Sequence, residues 1–129
     1  MLHIFQYNNA SGQVEINVAE ILLTKEFAAL MDNTRNICKE DKTGESHIRA
    51  FKELTYIWLA LDWGSLYAEY TEQERHTEAL KDSGLTEEEF NDPIFRAACR
   101  KYRQLQESNL ALRTLSAARV TINKFIDYF

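Results

Sequence analysis

The chain has 129 residues, of which 45% are apolar and 27% charged, with a net charge of −5; these values are close to globular averages and far from a disordered composition. A single Pro and four Gly argue against an all-β chain, and a pI near 5.2 disfavours a free-standing nucleic-acid binder. The opening MLHIFQYNN has no basic region before a long apolar one, and the longest apolar run, Tyr56 to Leu61, is far too short to span a bilayer, so the chain reads as neither secreted nor membrane-bound.

At this length one domain buries roughly two thirds of its unfolded surface, enough for a modest core. The charge is uneven. Residues 1–61 hold six basic and eight acidic side chains, residues 62–92 two and ten, and residues 93–129 seven and two, giving −2, −8 and +5. An acidic middle and a basic end attract each other within a chain or between copies, which makes head-to-tail association the expected outcome. Cys38 and Cys99 form no CxxC pair and read as free thiols.

In chain order, Leu2 to Tyr7 and Gln13 to Asn17 alternate apolar and polar residues around NNASG, which predicts a β-hairpin arm over 1–17. An isolated hairpin is marginal in water, so it must lie on the helices or pair with another subunit. Val18 to Leu23 reads as a helical turn or a bridge, and Thr24 as the cap of a helix to about Met31. The polar stretch Asp32 to Ser46 reads as a frayed helix running into an exposed loop, DKTGES, with Ser46 capping the next helix.

The stretch Phe51 to Tyr70 holds both tryptophans and six of the fifteen aromatic residues, and it is predicted to be the hub of the fold. Ala50, Leu54, Ile57 and Leu61 fall at helical spacing, with Phe51 and Trp58 widening the face, so a central buried helix is expected from about Ile48 to Leu61. Lys52, Glu53 and Tyr56 are assigned to its opposite side. Asp62, Gly64 and Ser65 break the pattern, and Trp63, Leu66, Tyr67 and Tyr70 are expected to pin an ordered loop by their large side chains. The core-hub residues are Phe51, Leu54, Ile57, Trp58, Leu61, Trp63 and Tyr67.

Three helix starts are marked locally. Thr71 with Glu74 and Thr86 with Glu89 match the capping box, Ser83-Gly84 gives a stop, and Asp92-Pro93 gives an N-cap with proline at N1. From Pro93 to Phe129 no Gly or further Pro intervenes, so one long helix of about 55 Å is possible at 1.5 Å per residue. Phe95, Ala98, Tyr102, Leu105, Leu112, Ile122 and Ile126 trace its apolar stripe. Phe125, Ile126, Tyr128 and Phe129 form an aromatic terminus that a monomer would struggle to hide, and they are the candidate partner-docking residues. The expected fold is mainly α: one domain, 1–129, with the arm at 1–17, a helical core at 18–92 and a long C-terminal helix at 93–129 that projects at one end.

No catalytic constellation emerges. Glu72 and His76 are spaced i, i+4, but with no second His or Cys nearby in sequence an ordinary solvated pair is the better reading. Glu87, Glu88 and Glu89 suit the first turn of a helix, and His3 and His47 stand alone. Arg96, Arg100, Lys101, Arg103, Arg113, Arg119 and Lys124 make the last helix basic without a nucleic-acid recognition motif. There is no phosphate loop, no GxSxG elbow and no Cys/His pair with nucleophile logic. The expectation is no enzyme, no cofactor, no metal, no membrane and no sequence-specific nucleic acid.

The order NNASGQVEIN, ILLTKEFAAL, FKELTYIWLALDWGSLYAEYTEQERHTEAL and DSGL resembles small helical virion proteins of tailed bacteriophages, particularly crAss-like and related large-genome phages. It departs at Leu66, where that pattern usually has proline. The resemblance implies a structural component of the virion, made in the host cytoplasm. It is similar to the head-to-tail adaptor type, a homo-oligomeric ring, twelve-fold in this setting, touching the portal and neighbouring tail or neck proteins. The competing reading is a soluble phage interaction or regulatory module that is not incorporated in the particle.

Overall fold

In the computed structural model, which describes residues 5–8 and 13–108, the chain is mainly helical. Strands β1 (Phe5–Asn8) and β2 (Gln13–Ile16) pair antiparallel, Phe5 opposite Ile16 and Asn8 opposite Gln13. The NNASG connection lies largely outside the described residues. Phe5 and Ile16 pack against the helical core, and the Phe5 ring meets Tyr102 edge-on at 5.5 Å. The strand pair therefore lies on the helices, a cover that an isolated pair needs.

Helix α1 (Val18–Leu22) opens with Asn17, whose side chain accepts from the Glu20 N–H, and helix α2 (Lys25–Ala28) comes next. Thr24 stands at the N-cap of α2 but makes no side-chain capping bond. Two 3-10 turns, Ala29–Met31 and Thr34–Asn36, lead to the central helix α3 (Ile48–Leu61). Ala50, Leu54, Ile57 and Trp58 of α3 are buried in one cluster with Ile21, Phe27, Leu30, Phe95 and Ala98, and α3 also meets β2 and both 3-10 turns. A helix with core on more than one side is what its wide apolar arc requires.

Glu53 and Tyr56 correct the sequence reading. They are 0% and 4% exposed, not on a solvent side. On a helical wheel Glu53 falls about 40° from Ile57 and about 60° from Ala50, inside the apolar arc. Its charge is met there by Arg35, a partner the periodicity could not show.

The polar stretch 32–46 is likewise not a frayed helix. Asn36 is fully buried; its amide donates to the Leu30 and Asp32 carbonyls, and its oxygen accepts the Ala50 N–H at 2.8 Å. Thus an orphan donor in the first turn of α3 is satisfied from 14 residues upstream. The expected cap, Ser46, makes no such bond: its backbone N–H goes to the Asp41 carboxylate. His47 is the N-cap residue, held left-handed at φ 52 with Nε2 2.8 Å from Asn33 Oδ1. Gly44 at the loop tip is buried at φ +74, where a Cβ would lie 1.9 Å from the Asn33 carbonyl oxygen; only glycine fits.

Helix α4 (Glu72–Ser83) starts where expected, with Thr71 accepting from the Glu74 N–H, and ends on Gly84 at φ 75. Helix α5 (Glu87–Phe90) has both halves of the Thr86–Glu89 capping box. Helix α6 covers residues 93–108, and Asp92 accepts the Ile94 N–H at 2.9 Å. Of the long stripe, Phe95, Ala98 and Tyr102 are buried and Leu105 is half-buried. Leu112, Ile122 and the docking candidates Phe125, Ile126, Tyr128 and Phe129 lie outside the described residues.

Candidate functional site

Two polar arrangements stand out among the described residues, one internal and one facing solvent. The internal one joins α3 to the start of α6. Arg35 grips Glu53 with two parallel bonds, Nη1 to Oε1 at 2.9 Å and Nη2 to Oε2 at 2.7 Å, and also reaches Asp92 at 3.1 Å. Arg49 bonds Asp92 at 2.7 Å and lies 3.8 Å from Glu53 and Glu89. Burial pushes the Glu53 carboxyl up, against the pull of Arg35 and Arg49. Burial also raises Asp92, but the Ile94 N–H, Arg35 and Arg49 outweigh it and hold Asp92 below its usual value. Burial lowers Arg35, and the bonds to Glu53 and Asp92 more than reverse this. All five charges face one another, so this network is a clasp, although the Nε atoms of Arg35 and Arg49 are buried in it without a hydrogen-bond partner among the described residues.

The second arrangement is a groove of about 760 Å³ between the end of α3, the loop 62–71, α4 and α6. Its frame is polar. The Gln106 side chain accepts from the Trp63 N–H at 3.0 Å and donates to the Leu61 carbonyl at 2.7 Å. Arg75 donates to the carbonyls of Leu59 and Asp62, and the Ser65 hydroxyl to Leu59. Asp62 accepts from the Gly64 N–H and from the Tyr102 hydroxyl. These bonds replace the last-turn partners that the carbonyls of α3 lack.

The loop is held by these clamps and by Tyr67, while Trp63, Leu66 and Tyr70 are turned to solvent, which corrects the hub reading for those three. Trp63, Leu66 and Tyr70 are 45%, 57% and 47% exposed, so Trp63 is not a core residue. Tyr67 is half-buried against the core and bonds Asp82, which raises its hydroxyl to about 12. Leu54, Ile57 and Trp58 are buried as expected, while Phe51 and Leu61 are partly buried against the core.

His76 and Tyr56 form one wall, with the Tyr56 hydroxyl 2.6 Å from His76 Nδ1. When Tyr56 donates, the His76 proton sits on Nε2, which faces Glu87 at 3.6 Å. The sequence pairing of His76 with Glu72 missed this contact, because α4 turns that face toward α3. Burial raises the Tyr56 hydroxyl well above its ordinary value. Phe90 lies against both rings, and the Arg96 guanidinium lies over the Phe90 ring, 4.6 Å from its centroid. Arg96 and Arg103 line the groove and make no salt bridge among the described residues. Glu72 and Glu107 also line it.

Among the described residues no group of His, Cys, Asp and Glu is placed to hold a metal ion, and no helix is long and apolar enough to cross a membrane. Cys38 and Cys99 are free thiols, and burial pushes Cys99 up to about 12. The groove offers cations, exposed aromatic rings and a hydrogen-bonded frame. No family model, characterised protein or solved structure matches the chain.

Proposed function

We propose that this chain is a structural component of a tailed-bacteriophage particle, forming an oligomeric ring in the portal or neck region between head and tail. The observation that supports the reading best is the pair of uncovered apolar surfaces on different elements. Val18, Leu22 and Leu23 are exposed at α1, and Trp63, Leu66 and Tyr70 are exposed beside the groove. A ring made by one repeated contact is heterologous, and each subunit must then carry two different patches. Large exposed apolar groups on so small a domain mark interaction surfaces better than they mark a monomer. The twelve-fold count and the contact with the portal rest on the sequence resemblance. The role is non-catalytic, with Tyr56 and His76 serving the groove wall.

The test is mass, in solution and in the particle. We expect a multi-subunit species by light scattering and a fixed copy number in purified virions. A monomer that is absent from purified particles would overturn the reading in favour of a soluble regulatory module.

A further inference from the structure

We infer that the groove between the loop 62–71, α4 and α6 receives the segment Phe125–Phe129 of a neighbouring copy, so that subunits join tail into groove. The inference rests on the assembly reading above and names the surfaces that would carry it. The groove presents Trp63 and Tyr70 half exposed at its rim, Phe90 in its wall, and the cations of Arg96 and Arg103 without salt-bridge partners among the described residues. The segment Phe-Ile-Asp-Tyr-Phe supplies three aromatic side chains, one aliphatic one and a single carboxylate, Asp127. Rings meet rings, and the carboxylate meets a guanidinium. A volume of about 760 Å³ is in the range that encloses a drug-sized group, comparable to a few large side chains. Glu72 and Glu107 on the same lining disfavour a polyanion such as a nucleic-acid strand, which would meet both carboxylates with many charges.

The donor is a neighbour for a reason of reach. Glu107, near the end of described α6, lines the groove, and Phe125 lies eighteen residues further on. Residues 109–124 contain neither Gly nor Pro, so a helix continuing through them would carry Phe125 about 27 Å away at 1.5 Å per residue. Groove and segment on different copies make an open-ended contact that closes only as a ring.

The experiment uses full-length chains in two variants. Trp63→Ser with Arg103→Glu disables the groove, and Phe129→Ser with Asp127→Arg disables the segment. Circular dichroism checks that each remains folded. By light scattering we expect the parent to be an oligomer and each variant alone to fall to the monomer mass of 15.1 kDa. A mixture should give a one-to-one heterodimer that grows no further, because it retains one working groove and one working segment. A synthetic peptide of residues 120–129 added to the parent should dissociate it, a readout that does not depend on the variants folding. If both variants assemble like the parent and the peptide has no effect, the inference is wrong while the assembly reading stands. If the mixture stays monomeric although each variant is folded, the segment does not dock between copies and the inference fails. A parent chain that is monomeric at every concentration overturns the assembly reading itself.

Discussion

Glu53 is a carboxylate with no exposed surface in the middle of the most buried helix, and what makes this tolerable is the geometry of Arg35. Moving one charge out of water costs several kcal/mol even after relaxation, and only a well-formed pair with satisfied hydrogen bonds offsets it. The two parallel bonds supply that pair, and Asp92 takes the remaining Arg35 charge. Arg35→Met removes the cation and leaves Glu53 buried with only Arg49 at 3.8 Å, which should cost about 3–5 kcal/mol at neutral pH. The pH dependence has a definite sign. Burial already raises Glu53, and losing Arg35 raises it further; a carboxyl raised in the folded state destabilises more as pH climbs through its folded value. Asp92 is lowered, partly by Arg35, so its stabilisation, present above its unfolded value and lost as pH falls through its folded one, also shrinks in the variant. Urea unfolding should therefore show the penalty of Arg35→Met larger at pH 8 than at pH 5. A penalty that is equal at both, or larger at the lower pH, would mean that Glu53 is not held as the carboxylate partner of Arg35. Nothing local in the sequence announces this pair, since its partners are 18 residues apart; only the position of Glu53 within the apolar arc hints that it needs one.

At the scale of elements, what is legible in the sequence is what local chemistry determines. The period of Ala50, Leu54, Ile57 and Leu61 marks the bounds of α3, and the starts of α4, α5 and α6 come from a cap and a carboxylate three residues apart or from Asp92-Pro93. The cap of α3 is illegible because its satisfying oxygen comes from Asn36 across a loop. Two substitutions separate the assignments. Asn36→Ala strands the buried Ala50 N–H and should cost about 2–3 kcal/mol, while Ser46→Ala should change stability by less than about 0.5 kcal/mol, as for exposed sites without partners. Equal losses in chemical denaturation would return the capping role to Ser46. Trp58, 5% exposed in the core, sets the scale for packing: Trp58→Ala should cost about 3–5 kcal/mol, and a melting temperature close to that of the parent would remove it from the core. Trp63, five residues on, looks equivalent in the sequence because composition cannot distinguish a ring that fills a core from one that a clamped loop holds outward. Gln106, Arg75 and Asp62 hold the backbone of that loop.

For the whole molecule the uneven charge becomes a statement about which charges are already spoken for. The acidic middle is partly neutralised within the chain, since Asp92 and Glu89 face Arg49, Arg35 reaches Asp92, and Asp62 and Asp82 accept tyrosine hydroxyls. Glu72, Glu74, Glu87 and Glu88 remain exposed, as do Arg100 and Arg103 of α6. Charges of both signs that are left in water act between molecules, and salt screens them: the Debye length falls from about 10 Å at 0.1 M to about 3 Å at 1 M. The clasp of Arg35 and Glu53 is buried and screened far less. Two salt responses should therefore separate in one titration. Self-association, monitored by sedimentation, should weaken steadily as NaCl rises to a few hundred millimolar, because Asp127 against Arg96 or Arg103 and the remaining exposed pairs lose their attraction. The melting temperature of the monomeric groove variant should hardly move over the same range. Association that is indifferent to salt would assign the joint to Trp63, Tyr70 and their apolar partners alone, and a melting temperature that falls with salt would show the clasp to be more open to solvent than its geometry allows.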